Sequence, residues 1–175
     1  MADFPIVQNV DPVVGSPAFP SMGGGFFNAA GGNLASATFS AANKAIFMPF
    51  PVFSPITIVK LFVINGTTVS GNIDVGIYTA NVLKIVSSGS TAQSGTSAVQ
   101  EFNITDTLLN PGFYYLAVAM DNGTAHLESW ALSVMMRTLG IAEASTAFPL
   151  PTNASISSIT ASRYPFIGAT QRATI

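Results

Sequence analysis

The first 43 residues show neither a helical period nor a sustained alternation of apolar and polar positions. Pro5, Pro12, Pro17 and Pro20 punctuate the first half, and a Gly/Ala/Asn stretch from Gly23 to Asn33 fills the second. Proline fixes φ and biases its predecessor towards extended backbone. The pattern therefore predicts an extended arm over residues 1–43. A solvated linker would be polar, but this segment carries Phe4, Ile6, Val7, Phe19, Phe26 and Phe27. The expectation is an arm that lies on a partner, with Phe4, Pro5, Phe19, Pro20, Phe26 and Phe27 as its contact residues. A disordered tail is the plainer alternative.

Beyond residue 44 the pattern changes to strands. Ile56–Ile64 is rich in β-branched and aromatic residues and ends at the turn dipeptide Asn65-Gly66. Asn72–Thr79 alternates, with Ile73, Val75 and Ile77 on one face and Asp74, Gly76 and Tyr78 on the other. Short strands are predicted at Val82–Ser87 and Val99–Ile104, with a polar loop between them over Ser87–Ser97. Phe113–Met120 is the most apolar strand. It follows Asn110-Pro111-Gly112, whose spacing suits a type II turn with Gly112 at positive φ. Residues 128–139 fit both a strand alternation and one face of a short helix. Residues 141–175 return to aromatic–proline pairs such as Phe148-Pro149 and Tyr164-Pro165.

Strand-sized units without a βαβ crossover argue for an all-β fold, an antiparallel β-sandwich or jelly-roll-like single domain. The expected organisation is an arm at 1–43, a sandwich core at 44–140, and an extended C-terminal segment at 141–175 with one or two further strands.

Composition narrows the function. Only 8% of the 175 residues are charged, six of them Lys or Arg, and the net charge is −2. Ordinary soluble domains carry about 25% charged residues. Too few cations are present to neutralise several phosphates, so no nucleic acid is expected as a partner. Mean hydropathy is +0.48, yet no apolar run approaches the roughly 20 residues of a spanning helix, so no membrane partner is expected either. A surface this poor in charge points to burial against copies of the chain or against another protein. The Met1–Pro5 start has no basic region or uninterrupted apolar run of the secretory kind, and no export signal is expected.

Candidate chemistry is sparse. There is no cysteine, and His126 is the single histidine, so thiolate chemistry and Ser-His-Asp catalysis lack most of their parts. A paired-carboxylate mechanism would draw on Asp74, Glu101, Asp106, Asp121, Glu128 or Glu143. Of these, Asp74 and Glu101 read as solvent-facing strand positions, and Asp106 and Asp121 as turn-flanking residues. No catalytic residue, metal or cofactor is expected, and a cation at Asp121-Asn122-Gly123 is less expected than a plain turn. Trp130, Tyr114 and Tyr115 are a candidate glycan platform, although adjacent strand residues point to opposite faces.

The segments Ala45–Phe53, Ile56–Val63, Gly71–Tyr78 and Leu108–Ala119 resemble small sandwich domains of structural proteins in tailed bacteriophages. The carriers are the "VGIY" strand at Val75–Tyr78 and the "L-x-PG-x-YYLA" strand at Leu109–Ala117. The resemblance covers just over half the chain and brings no catalytic residues. It implies a non-enzymatic virion protein, assembled in the host cytoplasm, that decorates or cements a particle against capsid or tail proteins. A homo-oligomer, by analogy a trimer, is expected. A tail-fibre or receptor-binding module for host surface glycan is the alternative.

Overall fold

The computed structural model of the chain describes residues 17–18, 34–132, 138 and 140–172. The strands run in order as β1 (Pro17–Ala18), β2 (Ala35–Thr38), β3 (Lys44–Val52), β4 (Ile56–Ile64), β5 (Asn72–Thr79), β6 (Lys84–Ser87) and β7 (Thr91–Ala92). They continue as β8 (Val99–Leu109), β9 (Gly112–Met120), β10 (His126–Ala131), β11 (Ala142–Ala144), β12 (Ser157–Ser158), β13 (Arg163–Pro165) and β14 (Ile167–Gln171). All the strand ladders are antiparallel. The fold is an all-β antiparallel sandwich, as the alternating strand pattern predicts.

One layer is a seven-stranded sheet ordered β12-β11-β3-β9-β5-β6, with β7 also paired to β5. The opposing layer combines a four-stranded sheet, β1-β14-β4-β8, with a three-stranded sheet, β13-β10-β2. Phe166 alone separates β13 from β14, and its N–H bonds to the Glu128 carbonyl at 2.8 Å. Asn65, just past β4, bridges Leu127 of β10. These two links join the smaller sheets edge to edge.

Strand chemistry explains the placement. The prolines of β3, Pro49 and Pro51, pair with Tyr115 and Phe113 of β9. On its other side β3 meets β11 only at Ala45–Phe47. Both prolines therefore lie where β3 has a partner on one side, as a residue without an N–H requires. The inter-layer core takes Ile46, Ile58, Leu61, Val63, Ile73, Val75, Ile77, Leu116 and Val118, all at or below 1% exposure.

A second core lies on the opposite face of the seven-stranded sheet. Ala45, Phe47, Tyr78, Ala117 and Ala119 are covered there by Ala147, Leu150 and Ala154 of the C-terminal segment. The Phe47 ring meets Tyr78 edge-on at 5.1 Å and Tyr115 edge-on at 6.3 Å. The covering segment is fastened by backbone bonds from Ala147 N–H to Asn43 and from Ala154 N–H to Val82, at 2.6 and 3.0 Å.

Several expectations are corrected. Asp74 is fully buried rather than solvent-facing, because the C-terminal segment roofs its side of β5. The C-terminal region contributes four strands, β11–β14, rather than one or two. Residues 34–43 belong to the sandwich: β2 pairs with β10, and Phe39 is 5% exposed. A boundary at 43 therefore cuts through the folded body. Gly112 does not adopt positive φ, whereas Gly95, inside the polar loop, does at +84°. Residues 128–131 of the ambiguous stretch belong to strand β10, while 133–137 and 139 lie outside the described residues.

Candidate functional site

The aromatic candidates do not converge. Tyr114 packs against the inter-layer core and donates its hydroxyl to the Asn110 carbonyl at 3.0 Å. Tyr115, on the opposite face of β9, packs against the second core. Trp130 sits on β10 in the other layer, half-buried against the inter-layer core. The arm residues Phe4, Pro5, Phe19, Pro20, Phe26 and Phe27 lie outside the described residues.

His126 is half-buried. Its Nδ1 lies 3.1 Å from Ser36 Oγ and 3.3 Å from Thr67 Oγ1. Ser36 Oγ also accepts from the Thr67 N–H at 2.8 Å. These contacts tie β2 and β10 to the turn after β4. Beneath them is a buried amide cluster. Gln93 Nε2 donates to Asn65 Oδ1 and to the His126 carbonyl, both at 2.9 Å. Asn65 Nδ2 donates to Gln100 Oε1 at 3.0 Å, and Gln100 Nε2 to the Ala92 carbonyl at 2.8 Å. The stretch that reads as a polar loop is thus fixed to the two smaller sheets by side chains whose donors and acceptors are matched.

The candidate carboxylates Asp74, Asp121, Glu101 and Asp106 are separately engaged. Asp74 accepts from the Leu150 N–H at 3.0 Å and from Ser88 Oγ at 3.3 Å. Burial pushes its carboxyl above the ordinary range, outweighing those hydrogen bonds. Asp121 accepts from the Asn72 N–H and Nδ2, both at 2.9 Å, and from Asn122 Nδ2 at 2.7 Å. Desolvation acts upward on it, but these donors hold it below the ordinary range. Glu101 pairs with Lys60 at 2.7 Å, and Asp106 with Arg172. Asp106 lies within β8 rather than beside a turn.

A concave feature with convergent polar groups lies between the layers among the described residues. A cleft of about 390 Å³ is lined by Thr38, Ser40, Lys44, Ser129, Thr160 and Arg163, among others. Lys44 Nζ lies 3.0 Å from Glu143 Oε1, which also accepts from Thr160 Oγ1 at 2.7 Å. Burial alone would raise the Glu143 carboxyl; the bonds from Thr160 and Lys44 outweigh it and hold it low. Arg163 Nη2 donates to the Ser129 carbonyl at 2.6 Å. The arrangement offers hydroxyls, a carboxylate and partnered cations for hydrogen bonding. Sequence reasoning singled out Glu143 but not Lys44, Ser129, Thr160 or Arg163. No local motif could have found them, because four separate elements bring them together.

Among the described residues, no group of three or more His, Asp or Glu is placed to hold a metal ion. No protein-family model matches this chain, and no curated protein does.

Proposed function

We propose that this protein is a non-enzymatic structural component of a bacteriophage virion, a sandwich module that decorates or cements the particle through its N-terminal arm and subunit contacts. The observation that carries this reading is how the few charges are used. Lys44, Lys60 and Arg172 pair with carboxylates, while Lys84 and Arg163 donate to the carbonyls of Leu150 and Ser129. Each described cation thus has an intramolecular partner, and the surface left outside is nearly neutral. At one end of the sandwich Phe53 is 81% exposed, with Leu108 and Phe113 also exposed nearby. Such a surface suits burial in an assembly better than life as a free monomer. The likeness of the β5 and β9 sequences to phage sandwich domains points the same way.

The test is composition of the particle. Antibody against the folded chain should label intact, gradient-purified virions at regular positions, and mass spectrometry of those particles should contain the chain in many copies. A chain found in infected-cell lysate but absent from purified particles overturns the reading.

A further inference from the structure

Lys44 and Arg163, two of the six Lys and Arg residues, line the cleft between the layers, and among the described residues no carboxylate lines it. In a chain so poor in charge, that concentration calls for a reason. Stability does not supply one. The Lys44 and Glu143 side chains are 16% and 6% exposed, and a pair this buried gains little net stability over apolar side chains of similar size. What the pair achieves is position. Glu143 stands off the cleft wall and holds two groups that are on it, Lys44 Nζ at 3.0 Å and the Thr160 hydroxyl at 2.7 Å. Arg163 is fixed in turn by the Ser129 carbonyl at 2.6 Å. Backbone bonds pin the surroundings, from Phe39 N–H to the Ala125 carbonyl and from Leu132 N–H to the Ser162 carbonyl, both at 2.8 Å. A site whose donors are held before a ligand arrives loses little freedom on binding.

The lining selects the ligand. Thr38, Ser40, Thr160 and Ser162 bring hydroxyls, which both donate and accept, whereas Lys44 and Arg163 can only donate. The complement of such a wall is a hydroxyl-rich molecule that carries an anionic acceptor. The volume of about 390 Å³ falls at the small end of the roughly 300–1,000 Å³ usual for small-molecule sites. We propose that this cleft binds an acidic saccharide unit, its carboxylate towards Lys44 and Arg163 and its hydroxyls towards the Thr and Ser side chains. The proposal does not rest on any place in a virion. It puts glycan contact between the layers rather than at Trp130, Tyr114 and Tyr115.

Sodium glucuronate titrated into the full chain should shift the amide resonances of residues 37–40, 129 and 160–163, which border the cleft, and the shifts should saturate. Glucose, which lacks the carboxylate, should bind about tenfold or more weaker. Arg163→Gln should weaken glucuronate by about tenfold or more and leave glucose little changed. Ser40→Trp, at an exposed position of the rim, should weaken both sugars, and it decides the matter on its own if Arg163→Gln lowers the melting temperature. Lys60→Gln, outside the cleft, should bind as the parent does. The proposal is overturned by shifts that do not saturate or that fall elsewhere, or by glucose binding as tightly as glucuronate. Inorganic phosphate competing as well as glucuronate, which would mean an anion site only, overturns it too, as does unchanged binding in Ser40→Trp.

Discussion

The Asp74 carboxylate accepts a hydrogen bond from the backbone N–H of Leu150 at 3.0 Å, across 76 positions of sequence. That bond docks the C-terminal segment on the outer face of the seven-stranded sheet. Tyr78 assists from the same face of β5, donating its hydroxyl to the Pro151 carbonyl at 2.6 Å. The sheet is thereby buried on both sides, and β5 reads as a central strand of a three-tiered stack rather than as half of a two-layer sandwich.

Asp74 should leave a mark on the pH dependence of stability. Burial raises its carboxyl above the ordinary value of 3.8, so the folded state holds this proton more tightly than the unfolded chain. The stability it contributes is present at low pH and is lost as pH rises from the ordinary value through the raised one. Asp74→Asn keeps an acceptor for the Leu150 N–H and removes the titration. The stability of the parent minus that of the variant should therefore fall as pH rises above the ordinary carboxyl value of 3.8. Urea melts of both proteins across that rise in pH check it. A difference that is flat, or that rises with pH, removes Asp74 as the source. Asp121 and Glu143, which act in the opposite sense, are common to both proteins and cancel.

The glycines separate two turn chemistries. Gly95 at φ +84° occupies a region that side chains rarely adopt, with Ala98 Cβ 3.4 Å from where a Cβ would sit. Gly95→Val should cost about 1–3 kcal/mol. Gly112 opens β9 in ordinary backbone, and a Cβ there would meet Tyr114 at a comfortable 3.5 Å. Gly112→Val should stay within about 0.5 kcal/mol of the parent. Thermal melts of the two variants decide it; the reverse order would mean that the turn at Asn110-Pro111-Gly112 carries the strain after all.

The amide cluster predicts a buried polar cost. Asn65→Ala removes one of two partners from Gln93 Nε2, which keeps the His126 carbonyl, and from Gln100 Oε1, which keeps the Ser94 N–H, and losing these buried hydrogen bonds should cost about 1–3 kcal/mol in all. His126→Ala removes only a half-buried contact to two hydroxyls and should cost about 1 kcal/mol. Asn65→Ala should also speed amide exchange across residues 91–100, which a purely local loss would not do. Equal destabilisation by both variants, with no change in exchange, contradicts the cluster's role.

Truncation locates the lower limit of the folded body. Removing residues 1–33 should preserve β-rich circular dichroism and a cooperative melt, while abolishing attachment to particles if the arm is an anchor. Removing residues 1–43 also deletes β2 and Phe39, and emptying a buried phenylalanine site costs about 3–5 kcal/mol. That chain should melt far lower or fail to fold. Equal melting of the two truncations would put β2 outside the cooperative unit.

Local pattern was enough to place β4 and β5, whose bounds match the expected Ile56–Ile64 and Asn72–Thr79, and to identify the fold as an all-β sandwich. Alternation and turn residues act over a few positions, so they are legible without knowing the rest of the chain. Alternation also sorts β5 correctly into two faces. It cannot say what each face meets. The burial of Asp74 depends on Leu150, and the cleft depends on Lys44, Glu143, Thr160 and Arg163 meeting from separate elements. The strand character of Ala35–Thr38 comes from its ladder with His126–Ser129, since four small residues bury too little to signal a strand alone. Whether a glycine needs positive φ is likewise settled by long-range pairing, whose contacts join residues that share no local pattern.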